Sequence, residues 1–233
     1  MKYGAFFFAI CSATARPAVA DTVSEARDVF SSFSQCTVQH RAKEAAEVVL
    51  ADDSNDEILR KHPDLLTGDC LGLEGGTLQI PSSDFVRYGL AEALVRRQYA
   101  RGLPPDISLA APLRHREINQ TDYQPKPGKT PKPTELANLQ KRRERDAGER
   151  LLSIYGECVV RTDPVAALRL IMTKVDSPGE SQAFADMNAA LSKCLASGER
   201  LQFGKAALRG SVAMNLYRLA NAPRVEADAA PAK

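Results

Sequence analysis

Two stretches of this 233-residue chain carry a cysteine pair at nearly the same spacing: Cys36 and Cys70 lie 34 positions apart, Cys158 and Cys194 lie 36 apart. The residues around them match as well. Phe33 aligns with Tyr155, Val38 with Val160, and Val48-Val49-Leu50 with Leu170-Ile171-Met172. Further on, Val86-Arg87, Leu90-Ala91 and Leu94 fall opposite Leu208-Arg209, Val212-Ala213 and Leu216. A near-constant register over both stretches is the mark of a duplicated unit. Four cysteines allow three connectivities, and a duplicated unit should carry its own bridge, which selects Cys36 with Cys70 and Cys158 with Cys194. Reduced thiols or a metal site are the alternatives, but zinc cysteines generally come in close pairs such as C-x-x-C or with nearby histidines, and no such pair exists here; His40, one helical turn after Cys36, has no second ligand at a metal-binding spacing. Closing a loop of about 35 residues stabilises a unit by roughly 3–4 kcal/mol in the chain-entropy picture, a large share of the net stability of a small domain.

The fifth cysteine, Cys11, lies in a segment of a different kind. Residues 1–20 combine Lys2, an apolar run from Tyr3 to Ile10 and small residues at Ala18 and Ala20, the layout of a secretory signal peptide cleaved after Ala20. The run is too short for a transmembrane span, which needs about 20 apolar residues. Ile10 directly before Cys11 argues against a lipid-modified cysteine. Cleavage would remove Lys2 and Arg16, taking the 31 basic residues to 29 against 29 acidic ones. A balanced chain lacks the basic surplus of nucleic-acid binders. An even set of cysteines fits an oxidising compartment, the periplasm or the exterior.

The apolar spacing predicts a mainly all-α fold: two tandem repeats of about four short helices over 21–100 and 135–220. Ala26, Val29, Phe30 and Phe33 recur at three- and four-residue intervals, as do Leu151, Leu152 and Tyr155, the period of a helix with one buried face. Asp163-Pro164 reads as a break and restart, with aspartate capping the next helix and proline in its first turn. After the second cysteine of each copy, Gly75–Ile80 and Gly198–Phe203 have the composition of a short strand, and two such strands could pair. Between the copies, residues 101–134 hold seven of the fourteen prolines and read as an extended, flexible linker. The alanine-rich tail 221–233 reads as disordered.

Chemistry is sparse. His40, His62 and His115 have no second ligand at a metal-binding spacing, so no metal is expected, and each reads as a surface or capping residue. No catalytic elbow, phosphate-binding loop or dinucleotide fingerprint occurs, so no catalytic residue or cofactor is assigned. Asp52, Asp53, Asn55, Asp56 and Glu57 lack the glycine and terminal glutamate of a calcium loop. Lys141, Arg142, Arg143 and Arg145 form a basic helix face, either simply solvated or a contact for an acidic partner or anionic head groups. The one polar residue that recurs on a matched apolar helix is arginine, Arg87 and Arg209. A guanidinium there can fork onto carbonyls at a helix end or onto a carboxylate, or hold an anionic ligand.

The patterns Tyr155-Gly-x-Cys-Val-Val-Arg-x-x-Pro164, Cys194-Leu195 and Leu208-Arg-Gly-x-x-Ala-x-x-Leu-Tyr217 resemble small exported proteins of alphaproteobacteria, particularly of sphingomonad type. The resemblance implies a periplasmic or secreted location and no activity. The first copy departs from it, lacking the proline and having Tyr88-Gly89 where Gly210-Ser211 stands. The reading that follows is a non-enzymatic binding or structural module of the cell envelope, acting on an envelope protein or ligand. A chaperone-like protein and an enzyme with its site between the repeats are the alternatives.

Overall fold

The computed structural model describes residues 19–51, 57, 60–66, 70, 83–101, 106–128, 130–195 and 201–225. It is mainly helical: α1 (Val19–His40), α2 (Ala42–Leu50), α3 (Ser83–Gln98), α4 (Pro133–Thr162), α5 (Pro164–Met172), α6 (Pro178–Asp186), α7 (Asn188–Lys193) and α8 (Lys205–Ala220). Two 3-10 turns, Pro63–Leu66 and Gln120–Tyr123, lie between these helices. Disulfides join Cys36 to Cys70 and Cys158 to Cys194, each within one half. Each bridge ties a long helix to the segment that follows the next helix or helices.

Local chemistry places the breaks. Asp163 Oδ1 accepts from the Ala166 amide at 2.8 Å and Pro164 occupies the first turn of α5, so the chain turns sharply after α4 and restarts. The corresponding turn between α1 and α2 has no side-chain cap at Arg41. Ser177 caps α6 through the Glu180 amide at 3.1 Å. The single third helix expected before Cys194 is divided in two at Met187, giving α6 and α7. Leu151, assigned by its spacing to the buried face of α4, is 42% exposed while Leu152 is buried; the inward face is turned by one position.

The two matched helices α3 and α8 cross at the centre, and both halves contribute to one continuous apolar core. Val86, Leu90, Ala91 and Leu94 of α3 share it with Val212, Ala213, Leu216 and Leu219 of α8. Every residue from Arg209 to Leu219 is buried, because α3, α4, α5 and the 106–116 segment cover α8 on successive sides. A helix enclosed in this way needs small residues wherever a neighbour's backbone comes near. Ser34 Oγ on α1 bonds the Phe30 carbonyl at 2.9 Å and faces Gly89 of α3, where a methyl would lie 2.2 Å from that hydroxyl. In the second half the roles are exchanged. Ser211 of α8 bonds the Leu152 carbonyl of α4 at 2.8 Å, and a methyl on Gly156 of α4 would lie 2.3 Å from its hydroxyl. Serine and glycine have traded sides of one packing arrangement.

Part of the proline-rich segment that reads as a spacer packs against the helical body. Ile107 and Ala110 are buried, and Ala110 forms an isolated antiparallel bridge with Arg224. The Ala111 amide donates to Pro223 at 2.9 Å and the Val225 amide to Leu109 at 2.8 Å. Proline removes donors but leaves carbonyls, and arginines from the body satisfy these. Arg161 bonds the Ala110 and Ala111 carbonyls at 3.1 and 2.8 Å, and Arg218 bonds the Arg114 carbonyl at 2.9 Å. Residues 106–116 are thus a strap held across α4 and α8. Asn221–Val225, expected to be disordered, is its pairing partner; the rest of the tail lies outside the described residues. Of the passages expected to be strands, Gly75–Ile80 and Gly198–Arg200 also lie outside them, and Leu201–Phe203 is irregular.

Gly156→Ala separates packing from propensity. Alanine is worth about 1 kcal/mol more than glycine in a helix interior, yet here its methyl meets Ser211 and Asn215. Overpacking costs of about 1–3 kcal/mol predict a net loss of stability in a denaturant titration; a gain would show that α4 and α8 can separate at little cost.

Candidate functional site

Arg209 is 2% exposed and sits among carboxylates from both halves. Its Nε and Nη2 donate to Glu92 of α3 at 2.9 and 2.7 Å. Nη1 donates to Glu180 of α6 at 2.9 Å and to the Thr173 hydroxyl at 3.0 Å. Nη2 also reaches the Ile171 and Thr173 carbonyls at the end of α5, at 3.1 and 2.9 Å. Arg27 of α1 donates to Glu180 at 2.9 Å and also bonds Asp176, a residue in the left-handed region at φ 53°. Arg96 pairs with Glu92 at 3.1 Å. The result is an alternating chain, Arg27–Glu180–Arg209–Glu92–Arg96. Burial pushes the Glu180 carboxyl up, but the hydrogen bond and charge of Arg27 and the charge of Arg209 outweigh it and hold Glu180 below its ordinary range. Burial likewise opposes the Arg209 charge, and Glu92 and Glu180 overcome it. Such a site is a structural lock with its donors committed.

Arg87 occupies the matched place on α3. Its Nη2 bonds the Val49 and Ala51 carbonyls at the end of α2, at 3.3 and 2.6 Å, the positions that correspond to Ile171 and Thr173. The surroundings differ. In the register that matches Ala91 with Ala213 and Leu94 with Leu216, Glu92 falls opposite Met214 and Arg96 opposite Arg218. Where Arg209 meets the Glu92 carboxylate of the crossing helix, the matched position on α8 is Met214. A cavity of about 50 Å³ opens there, lined by Arg87, Arg114, Arg116, Arg150 and Arg218, with Tyr88, Met214 and Ser153 and the two carboxylates Asp146 and Glu149.

Those carboxylates are shared. Asp146 lies 3.3 Å from both Arg116 and Arg145 and accepts from the Tyr123 hydroxyl at 2.7 Å. Burial and that hydrogen bond push the Tyr123 phenol up to about 12. Glu149 pairs with Arg145 at 3.5 Å. The guanidinium groups of Arg114 and Arg150 have no ion-pair partner among the described residues. Arg142 of the exposed basic face stacks on Tyr123 at 5.3 Å and bonds the Asp122 carbonyl, so it holds the Gln120–Tyr123 turn. Lys141 and Arg143 beside it are exposed.

On the other side of the strap, His115 bridges two residues of α4. Its Nδ1 is 2.9 Å from Ser153 Oγ and its Nε2 2.7 Å from Glu157. Glu157 also takes the Arg161 guanidinium at 2.8 Å and the Leu113 amide at 3.1 Å. Burial raises the Glu157 carboxyl, but the hydrogen bonds from His115, Arg161 and Leu113 and the Arg161 charge win and hold it at about 2. His115 is therefore a half-buried member of the strap's anchorage instead of a surface residue. His40 and His62 stand apart from it and from each other in the chain, and no group of three or more histidine, cysteine, aspartate or glutamate side chains among the described residues could hold a metal.

Sequence reasoning singled out Arg87 and Arg209 but missed Arg114, Arg116, Arg150 and Arg218. The Arg114-His115-Arg116 triplet inside a proline-rich segment was the available signal, since a free spacer has no need of it. No helix among the described residues is long and apolar enough to cross a membrane. No protein-family model, curated protein or solved structure matches the chain.

A carboxylate held below its ordinary value of 4.5 stabilises the fold above that value and loses its effect as pH falls toward the folded value of about 2. Melting temperature followed across this acid window should fall in the natural chain and fall less in Glu157→Gln, which starts lower. Parallel acid limbs for the two would remove Glu157 as the strap's anchor.

Proposed function

We propose that the chain is an exported protein of the cell envelope that works by binding, and that the arginine-lined cavity beneath the strap is its ligand site. The cavity carries this reading. Among the described residues Arg114, Arg116 and Arg150 line it with Asp146 and Glu149, in a protein whose basic and acidic residues nearly balance. Arg114 and Arg150 have no ion pair among the described residues, and an anion relieves the repulsion of guanidinium groups held side by side. Elsewhere the described residues of the two halves share an apolar core and the Arg209 ion chain. Export is supported by the signal-like residues 1–20 and by two disulfides, which persist in oxidising compartments. Duplication is supported by the parallel forks of Arg87 and Arg209 on helix-end carbonyls and by the exchanged serine and glycine at the matched helix crossings.

A second reading, an enzyme with a site between the halves, draws on Ser153, His115 and Glu157 in hydrogen-bonded series. That order suits activation of a serine hydroxyl. Against it, the Glu157 carboxylate already serves Arg161 and the strap backbone, and Ser153 is 9% exposed in the middle of a helix.

A thermal-shift panel of anions, neutral sugars and polyamines on the full chain tests the proposal, with each compound that shifts the melt recovered and examined by NMR. Binding predicts stabilisation by at least one anion class and recovery of the compound unchanged. An altered compound would favour the enzyme, and a flat panel would overturn both the site and its role.

A further inference from the structure

The two disulfides hold matched places in the two halves, but their surroundings differ. Cys194 packs against the apolar core, and the Thr162 hydroxyl stands 3.6 Å from its sulfur. The position that matches Thr162 in the first half is His40, one helical turn after Cys36. There the half-buried Cys70 forms part of the wall of a cavity of about 360 Å³, together with Thr37, His40, Arg41, Glu44, Asp64 and Leu65. Thr37 and Leu65 are buried. The charged part of the lining is of both signs, with Arg41 3.8 Å from Asp64.

We infer that the Cys36–Cys70 bridge is a site of thiol–disulfide exchange, opened at the Cys70 sulfur by a low-molecular-weight thiol that enters this cavity, while Cys158–Cys194 stays closed. Exchange requires a thiolate to reach a disulfide sulfur, so its rate depends on access and on which sulfur is attacked. The cavity gives access to the Cys70 end of the first bridge. Its volume falls within the roughly 300–1,000 Å³ of small-molecule sites, enough for an amino-acid-type thiol and too small for a folded domain. A lining of both signs complements a thiol that itself carries an ammonium group and carboxylates, as glutathione does. The Arg41 guanidinium in the same lining keeps its positive charge and favours thiolate over thiol.

The incoming thiolate sulfur bonds Cys70 Sγ, the bond to Cys36 breaks, and its electron pair leaves on Cys36 Sγ, which takes up the proton that the small thiol released to solvent. A second thiolate attacks the added sulfur, the bond to Cys70 breaks, and Cys70 takes up the second proton. Two small thiols are thereby oxidised to one disulfide and the bridge is reduced to two thiols. Opening unties α1 from the segment that carries Cys70, and the second half keeps its staple.

The test uses the full chain with Cys11 alkylated beforehand under native conditions. It is exposed to reduced glutathione, quenched with N-ethylmaleimide at intervals and mapped by mass spectrometry. Cys36–Cys70 should open at least about tenfold faster than Cys158–Cys194, and the first product should carry glutathione on Cys70 and maleimide on Cys36. Glu44→Trp, which fills the cavity and changes neither cysteine, should slow the first bridge toward the rate of the second and leave the second unchanged. Should that variant fail to fold, the product map of the natural chain decides. Equal rates for the two bridges, earlier opening of Cys158–Cys194, or glutathione on Cys36 in the first product would overturn the inference. Opening by a thioredoxin-type protein dithiol where glutathione has no effect would overturn it as well, by showing that the bridge meets protein thiols and that the cavity plays no part.

Discussion

The buried guanidinium of Arg209 holds the rest of the structure in place. It lies at the centre of a core shared by both halves, where an uncompensated charge would cost several kcal/mol. Six hydrogen bonds reach it from α3, α6 and the end of α5, so these segments cannot move apart singly. Glu92 and Glu180 carry the connection outward to Arg96 and Arg27. A well-packed apolar cluster could supply similar stability. What the ionic chain adds is direction, because each partner accepts one arrangement of its neighbours and thereby sets the crossing of α3 and α8. The disulfides act at a different level, each limiting the freedom of one half.

The two ends of the α3–α8 crossing differ in what surrounds their arginines. Both place an arginine fork on the last carbonyls of a short helix, which fixes the angle between that helix and the central one. Only one received a glutamate on the crossing helix. At the other Met214 stands at the matched position, arginines of the strap and of α4 line the cavity beside it, and the strap is itself held by arginine donors acting on its carbonyls.

Much of this architecture was legible in the sequence because it follows from local rules. Cysteine spacing indicated the two bridges, apolar periodicity the helices, and Asp163-Pro164 the turn after α4. What was not legible depended on contacts between distant segments. Residues 101–134 read as a spacer because proline composition describes backbone freedom, and it says nothing of Arg161 and Arg218 arriving to occupy the carbonyls. Leu151 and Leu152 differ by one helical position, and only the placement of α8 decides which one faces inward. Arg87 and Arg209 stood out because they recur. Arg114, Arg150 and Arg218 did not, since nothing about an isolated arginine reveals that several others share its cavity. The exchange of serine and glycine between Ser34–Gly89 and Gly156–Ser211 hid a matched contact, because each position taken alone looks like a mismatch between the two halves.

A double-mutant cycle on Arg209→Met and Glu92→Leu, read by denaturant unfolding of the full disulfide-bonded chain, tests the central claim most directly. Each single change leaves a buried charge of the chain short of a partner and should cost about 3–5 kcal/mol. The double change removes both members, so its cost should fall well short of the sum, with a coupling of about 1–3 kcal/mol. Single costs below about 1 kcal/mol that add within about 0.5 kcal/mol would show that the crossing is held by apolar packing alone, and that Arg209 is a passenger in the core.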